Sequence, residues 1–273
     1  MNLQDKLTEL KQQKKGILAT NFYNFETLTG ILSAVAVQKT PVILQLSKSS
    51  IDYMGLKTAT NMARAAIAEY EVEAWLHLDH GDSVELVKSC LDAGFDSVMI
   101  DASEKAISEN IKITNQVMKL ASPYNANVES ELGFIAKLGQ EQNKAAFTQV
   151  EDAVNFIENT DVNALAIAIG SSHGFYKQAP KLEIELLSRI SESIPTPLVL
   201  HGSSGIPDKM LQDAIQNGIC KVNLATEIKN AFMLALQRIL KDNKEIDLRI
   251  VFPEATKEVT SLVINKLQIV QDA

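Results

Sequence analysis

Val42-Ile43-Leu44-Gln45-Leu46-Ser47, opened by Pro41, is a short run of mostly branched apolar residues. A segment of helical period follows from about Leu56 to Tyr70, and a second such run, Ala74-Trp75-Leu76-His77-Leu78-Asp79, comes next. Strand-length apolar runs that fail to alternate are strands covered on both faces, and the helix between them is the crossover of a parallel sheet. The pattern extends in both directions. Ile17 to Phe22 comes before it, and Ser97 to Asp101, Asn127 to Leu132, Ala164 to Ile169, Pro197 to Leu200 and Lys221 to Leu224 come after. Helical segments separate them, including Val84 to Leu91 and Ile107 to Leu120. The last crossover runs from about Glu227 to Leu240.

Eight strand–helix units in 273 residues fit a closed parallel barrel. An open doubly wound sheet would carry a G-x-G-x-x-G turn after its first strand, and none occurs. The expected architecture is therefore a single (β/α)8 barrel domain over residues 1–273, with an extra helix before the first strand and a trailing one near Glu254 to Val270. Helix punctuation agrees: Asp82 or Ser83 and Thr148 stand at helix starts, Gly94 and Gly218 at helix ends. Gly133 to Phe147 has no assigned element, and a connection that long in a compact domain is usually functional or mobile.

The formal charge of −8 from 26 Lys+Arg against 34 Asp+Glu excludes a general binder of nucleic acid or anionic membranes. No apolar run reaches the roughly 20 residues a bilayer needs, and the polar N-terminus is no signal peptide. Cys90 and Cys220 stand far apart and outside any C-x-x-C pattern, as expected of two reduced thiols in a cytoplasmic protein.

Barrel enzymes place their chemistry at the C-terminal strand ends. Those ends here are Asn21, Ser47, Asp79-His80, Asp101, Glu129 and Glu131, His173, His201 and Asn223. Three of the four histidines lie there, and three neutral imidazoles with an open fourth position are the ligand set of a catalytic Zn2+. His77 falls mid-strand and reads as structural. Asp79 beside His80 is a candidate acid/base group, and Asp101 and Glu131 are further carboxylates on the same rim. The turn His201-Gly202-Ser203-Ser204-Gly205-Ile206-Pro207, with Asn223 to Thr226 at the last helix start, offers backbone N–H groups to an anion.

Several segments together carry a resemblance: His77 to Gly81, Gly94 to Asp101, Val128 to Gly133, Ala164 to Gly174, His201 to Gly205 and Lys221 to Glu227. In order and spacing they resemble the class II, metal-dependent ketose-bisphosphate aldolases, over essentially the whole chain. The resemblance implies that His80, His173 and His201 hold a Zn2+ that polarises the carbonyl of dihydroxyacetone phosphate and stabilises its ene-diolate. Asp79 would exchange the proton of the hydroxyl formed in C–C bond making, and Asp101 and Glu131 would offer a second metal position. Gly174, Lys177, Gly202, Ser203, Ser204, Asn223, Leu224, Ala225 and Thr226 would surround dihydroxyacetone phosphate, and Ser47 and Asn24 complete the substrate set. Glu141 keeps the position of the glutamate that abstracts a carbon-bound proton. A monovalent cation could accompany the phosphate.

Three departures stand out. Leu138 and Gln142 replace a glycine and an aspartate of the G-G-x-E-D pattern, and Ser203 replaces the second glycine of H-G-G-[ST]-G, where a positive φ would strain it. Asn223-x-Ala225-Thr226 and Glu227 to Phe232 look more like the tagatose-bisphosphate group than the fructose-bisphosphate one. The expected activity is reversible cleavage of a ketose 1,6-bisphosphate, tagatose 1,6-bisphosphate favoured, to dihydroxyacetone phosphate and glyceraldehyde 3-phosphate. Fructose 1,6-bisphosphate, another phosphorylated ketose, a metal-dependent epimerisation and a non-catalytic aldolase-like subunit are the alternatives. A Schiff-base aldolase needs a lysine in the barrel interior or at a strand end; Lys221 opens its strand at the wrong end, leaving Lys48 as the near candidate. The family suggests a homodimer or homotetramer, some members working with an accessory subunit.

Overall fold

The computed structural model describes residues 1–135, 147–176 and 178–273. Eight parallel strands close into a barrel in the order β1 to β8, each hydrogen-bonded to its sequence neighbours and β8 to β1. They are β1 Ile17–Asn21, β2 Val42–Ser47, β3 Ala74–Gly81, β4 Ser97–Ile100, β5 Asn127–Leu132, β6 Ala164–Ile167, β7 Leu198–Leu200 and β8 Ile219–Leu224. The helices are α1 Leu3–Gln13, α2 Phe25–Gln38, α3 Lys48–Met54, α4 Leu56–Glu69, α5 Val84–Ala93 and α6 Ile107–Ala121. Further along come α7 Val150–Thr160, α8 Ile184–Ser193, α9 Asp208–Gln216, α10 Thr226–Leu240 and α11 Leu248–Gln271. The expected (β/α)8 barrel with helices added at both ends is the architecture found.

Alternation along each strand sends one set of side chains outward and the other into the barrel. Outward residues such as Leu18, Leu44, Leu76, Val98, Val128, Leu165, Leu198 and Val222 join the helices' apolar faces in the main core. Ile17, Ala19, Ile43, Trp75, Ala164, Ala166, Val199 and Cys220 form a second, interior core, which α1 seals from below with Leu3, Leu7 and Leu10. Above that apolar floor the interior turns polar, with His77, Glu129 and Lys221 all buried.

The structure corrects several boundaries. The trailing helix starts at Leu248, well before Glu254, because Pro253 sits inside it rather than ending it. It packs on α2 so closely that a Cβ at Gly30 would come 3.0 Å from Val259. An additional short helix, α3, occupies the second loop, with Ser47 as its N-cap. Ser83 caps α5 as expected. Thr148 does not cap α7; its hydroxyl bonds the Leu132 carbonyl and accepts from the Ala168 N–H, lacing β5 to β6. Lys221 does not open its strand. β8 begins at Ile219, and a register shift against β7, where Leu198 pairs with Ile219 but Val199 with Lys221, turns the lysine into the interior.

A second register shift positions the site. His77 and Leu78 of β3 pair with Ser97 and Val98, but Gly81 pairs with Ile100, so β3 carries one extra residue. His80 lies inside this bulge with a left-handed φ of 51°. Strict alternation would send Asp79 and His80 to opposite faces; the bulge lets both point into the mouth of the barrel. Gly81 permits it, since a Cβ there would stand 2.4 Å from the Met99 carbonyl oxygen.

Candidate active site

His80 comes from β3, His173 from the loop after β6, and His201 follows β7 directly. Their rings meet edge to face, with His80 Nε2 3.2 Å from His173 Nε2 and 3.1 Å from His201 Nδ1. Tetrahedral Zn2+ with Zn–N bonds of about 2.0–2.1 Å would set its nitrogens about 3.3 Å apart. The histidine triad fits that ion, with one ring nitrogen of each residue available to it. The opposite ring nitrogens of two of them are engaged by carboxylates: His80 Nδ1 lies 3.0 Å from Asp101 and His201 Nε2 lies 2.8 Å from Glu129. Outer carboxylates of this kind orient metal-binding imidazoles. His80, Asp101 and Glu131 make a second group of the same dimensions.

The carboxylates dominate the electrostatics. Burial pulls His201 down, but its bonds to Glu129 and Glu131 outweigh that and push it up to about 10. Burial also opposes charge on His80, yet Asp79 and Asp101 hold it above its ordinary value. His77, fully buried beside the Lys221 cation, is driven down to about 3 and is neutral.

Asp79 lies beside the triad, its Oδ1 4.0 Å from His80 Nε2. Asn21 donates to its Oδ2 over 2.9 Å, and Gln45 and Asn223 reach Oδ1 at 3.4 and 3.5 Å. Burial raises this carboxyl, but His80, His201 and the Asn21 amide together keep it below the usual carboxylate range, so it is ionised at neutral pH.

A cavity opens over these groups, lined by Asn21, Asp79, His80, His173, Gly174, Gly202, Ser204, Asn223, Ala225 and Thr226. Its far wall is the start of α10, where Ala225 supplies no side-chain cap. Only Ser204, accepting from the Glu227 N–H, serves that helix end among the described side chains. Uncapped N–H groups at the start of a fifteen-residue helix form an anion site.

Other expected residues are placed differently. Ser47 pairs in register with Asp79, but its hydroxyl caps α3. Asn24 forms a capping box with Thr27 at the start of α2. Leu224 joins the main core and does not line the cavity. Ser203 is unstrained: Gly202 and Gly205 take the positive φ, while Ser203 bonds the Asn223 carbonyl through its hydroxyl. Glu141, Leu138, Gln142 and Lys177 lie outside the described residues.

Two contributors escaped the sequence reading. Glu129 stood among the strand ends without a role, yet it holds His201. Tyr176, in the sixth loop, accepts from the Ser172 N–H and donates to the Gly202 carbonyl, tying the sixth loop to the seventh. An aromatic three residues after His173 was the available signal.

The fold and site are those of a barrel with three histidines able to hold a metal ion beside an ionised carboxylate and a helix start. The family model described as class II fructose-bisphosphate aldolase matches residues 1–273. A fructose-bisphosphate aldolase of Geobacillus stearothermophilus is 36% identical over 98% of this chain and 96% of its own length. A D-tagatose-1,6-bisphosphate aldolase subunit GatY of Klebsiella oxytoca is 36% identical over 86% and 85%. The crystal structure of the YdjI aldolase of Escherichia coli K12 superposes with a TM-score of 0.88 at 29% identity, covering 98% of this chain and 96% of that one. The chain belongs to the class II fructose-bisphosphate aldolase family and is a metal-dependent aldolase, a lyase acting on phosphorylated sugars. No helix among the described residues is long and apolar enough to cross a membrane.

Proposed function

We propose that the protein is a Zn2+-dependent aldolase that cleaves tagatose 1,6-bisphosphate reversibly to dihydroxyacetone phosphate and glyceraldehyde 3-phosphate. It acts as one barrel domain, in the cytoplasm, as a homodimer or homotetramer. The observation that carries the reading is the convergence of His80, His173 and His201 with ionised Asp79 at one wall of a cavity whose other wall is the start of α10.

Bound at the three histidines, zinc supplies Lewis acidity toward the carbonyl of the substrate. The chain's own groups do the rest. Gly202, Ser204, Ala225 and Thr226 line the α10 end of the cavity, where N–H groups receive a phosphate although the protein's net charge is −8. Asp79, ionised and fixed by Asn21, accepts the proton of the hydroxyl on the carbon that becomes the aldehyde, and returns it in the condensation direction. Its acceptor atoms stay aligned because three amides from β1, β2 and β8 converge on them. Glu141 is proposed to exchange the carbon-bound proton of dihydroxyacetone phosphate.

Tagatose and fructose bisphosphates differ only in configuration at C4, so a few hydroxyl contacts decide between them. The Asn223-x-Ala225-Thr226 segment supports the tagatose sugar. Relatives at equal identity act by name on fructose and on tagatose bisphosphates, so whole-chain similarity does not separate the two. A coupled triose-phosphate assay over tagatose and fructose bisphosphates, before and after chelation and Zn2+ return, tests the reading. Fastest triose release from tagatose 1,6-bisphosphate, abolished by chelation, is expected. Full activity of verified metal-free protein would overturn the zinc assignment, and preferred cleavage of the fructose sugar would overturn the substrate.

A further inference from the structure

Beneath the histidines, the barrel interior holds a lysine and a glutamate that the reaction above does not use. Glu129 is 0% exposed and Lys221 1%. Glu129 Oε1 lies 2.8 Å from His201 Nε2, and its Oε2 lies 2.6 Å from Lys221 Nζ. Lys221 Nζ is also 3.2 Å from His77 Nε2, and His77 Nδ1 is 2.7 Å from the Ser97 hydroxyl. The Asn127 amide donates to that hydroxyl oxygen as well.

The donor inventory fixes the direction of this chain. An ammonium only donates, so Lys221 donates to both Glu129 and His77. His77 Nε2 is then an acceptor, and its proton sits on Nδ1, directed at Ser97. Glu129, facing an ammonium, is an acceptor on both oxygens, so His201 must carry its proton on Nε2. His201 Nδ1, 3.1 Å from His80 Nε2 and 3.3 Å from Glu131, is then the nitrogen that gives up its proton when a metal binds.

We propose that Glu129 and Lys221 are a positioning pair for His201, holding it in the Nε2–H tautomer with Nδ1 presented to the metal. Lys221 is the part of the pair that keeps the carboxylate buried without leaving it unpaired, since an uncompensated interior charge is strongly destabilising. The interior lysine is thereby committed to a structural cation and is not a Schiff-base nucleophile. The proposal rests on the reading that His80, His173 and His201 bind zinc.

Two double variants test it without stranding a buried charge. E129M/K221M removes pair and acceptor together. E129Q/K221M keeps an amide oxygen able to accept from His201. Zinc dissociation constants from chelator competition, and the absorption bands of the Co2+-substituted protein, are the readouts, with thermal melts of the metal-free proteins alongside. E129M/K221M is expected to bind zinc about 10–100-fold more weakly than the parent with altered Co2+ bands, and E129Q/K221M to recover part of that loss. Lowered melting temperatures with zinc affinity within twofold of the parent and unchanged Co2+ bands would overturn the pair while leaving the zinc reading intact. A parent protein that takes up no zinc would overturn both. Should the variants fail to fold, long-range 1H–15N correlation of histidine-labelled parent protein loaded with zinc decides the matter. Protonated Nε2 on His201 supports the pair, and protonated Nδ1 overturns it.

Discussion

Tyr176 donates its phenolic hydrogen to the carbonyl of Gly202 over 2.8 Å. The phenolic oxygen of Tyr176 accepts from the Ser172 N–H at 2.9 Å, so one side chain spans the two loops that carry His173 and His201. A hydrogen bond of this kind is worth about 0.5–1.5 kcal/mol net, or roughly 2–12-fold in an equilibrium. Y176F should therefore raise KM for the bisphosphate by about that factor, since Gly202 lines the cavity, while the protein stays folded. Steady-state kinetics check this; unchanged KM would show that the strap does not shape the cavity.

Asp79 touches no metal nitrogen closely but lies within reach of the substrate cavity. D79N keeps shape and loses the proton acceptor. Its kcat should fall by about 10²–10⁴-fold, the usual worth of a positioned acid/base group. Zinc content measured by elemental analysis should match the parent. Loss of zinc along with activity would make Asp79 a metal-site residue instead.

Gly202 has φ +67°, and a Cβ there would stand 2.4 Å from the Ser172 carbonyl oxygen. Neither backbone can yield without displacing a histidine loop. G202A should lower both the melting temperature and zinc affinity, read by calorimetry and chelator competition. G94A is the control: φ is +95° there, but nothing lies within 4 Å of a new Cβ. It should cost stability alone.

His77 titrates from 6.5 in the unfolded chain to about 3 in the fold. Between those values the unfolded chain binds about one more proton at this position, so stability rises with pH across that window and falls on acidification. Metal-free H77Q should show a shallower decline of stability from pH 6.5 toward 3 than metal-free parent. Denaturant melts across that range check it; parallel declines would place the acid sensitivity elsewhere.

Zinc bound to the folded state alone stabilises it by mass action, about 2.7 kcal/mol at 100 times the dissociation constant. The three histidines proposed to hold it come from β3, the sixth loop and the residue after β7, so no local segment of the unfolded chain can supply the site. Chelation should lower the melting temperature, and zinc in excess should restore it. A melting temperature indifferent to both would mean that the ion does not reach the histidines.

The barrel was legible because parallel strands buried on both faces leave short runs rich in Val, Ile and Leu between helical segments, and most of the eight strands here show one. The triad was legible because histidine is rare here and three of four lie at strand ends. The interior column was not. Gln45, His77, Glu129 and Lys221 lie on four different strands, and only barrel closure shows that Glu129 and Lys221, on β5 and β8, share a layer. The α3 helix and the caps at Ser47 and Asn24 were hidden for a different reason. A serine or asparagine at a strand end looks the same whether it serves a ligand or a helix terminus.

The extra residue in β3 has a consequence for how this sequence can drift. Deleting one position between Leu78 and Gly81 would restore perfect pairing with β4, give a more regular barrel, and turn either Asp79 or His80 out into the helix layer. Substitutions are gradual, but a single-codon indel at this strand end is all or nothing. Variant libraries spanning 78–81 should tolerate no change in length.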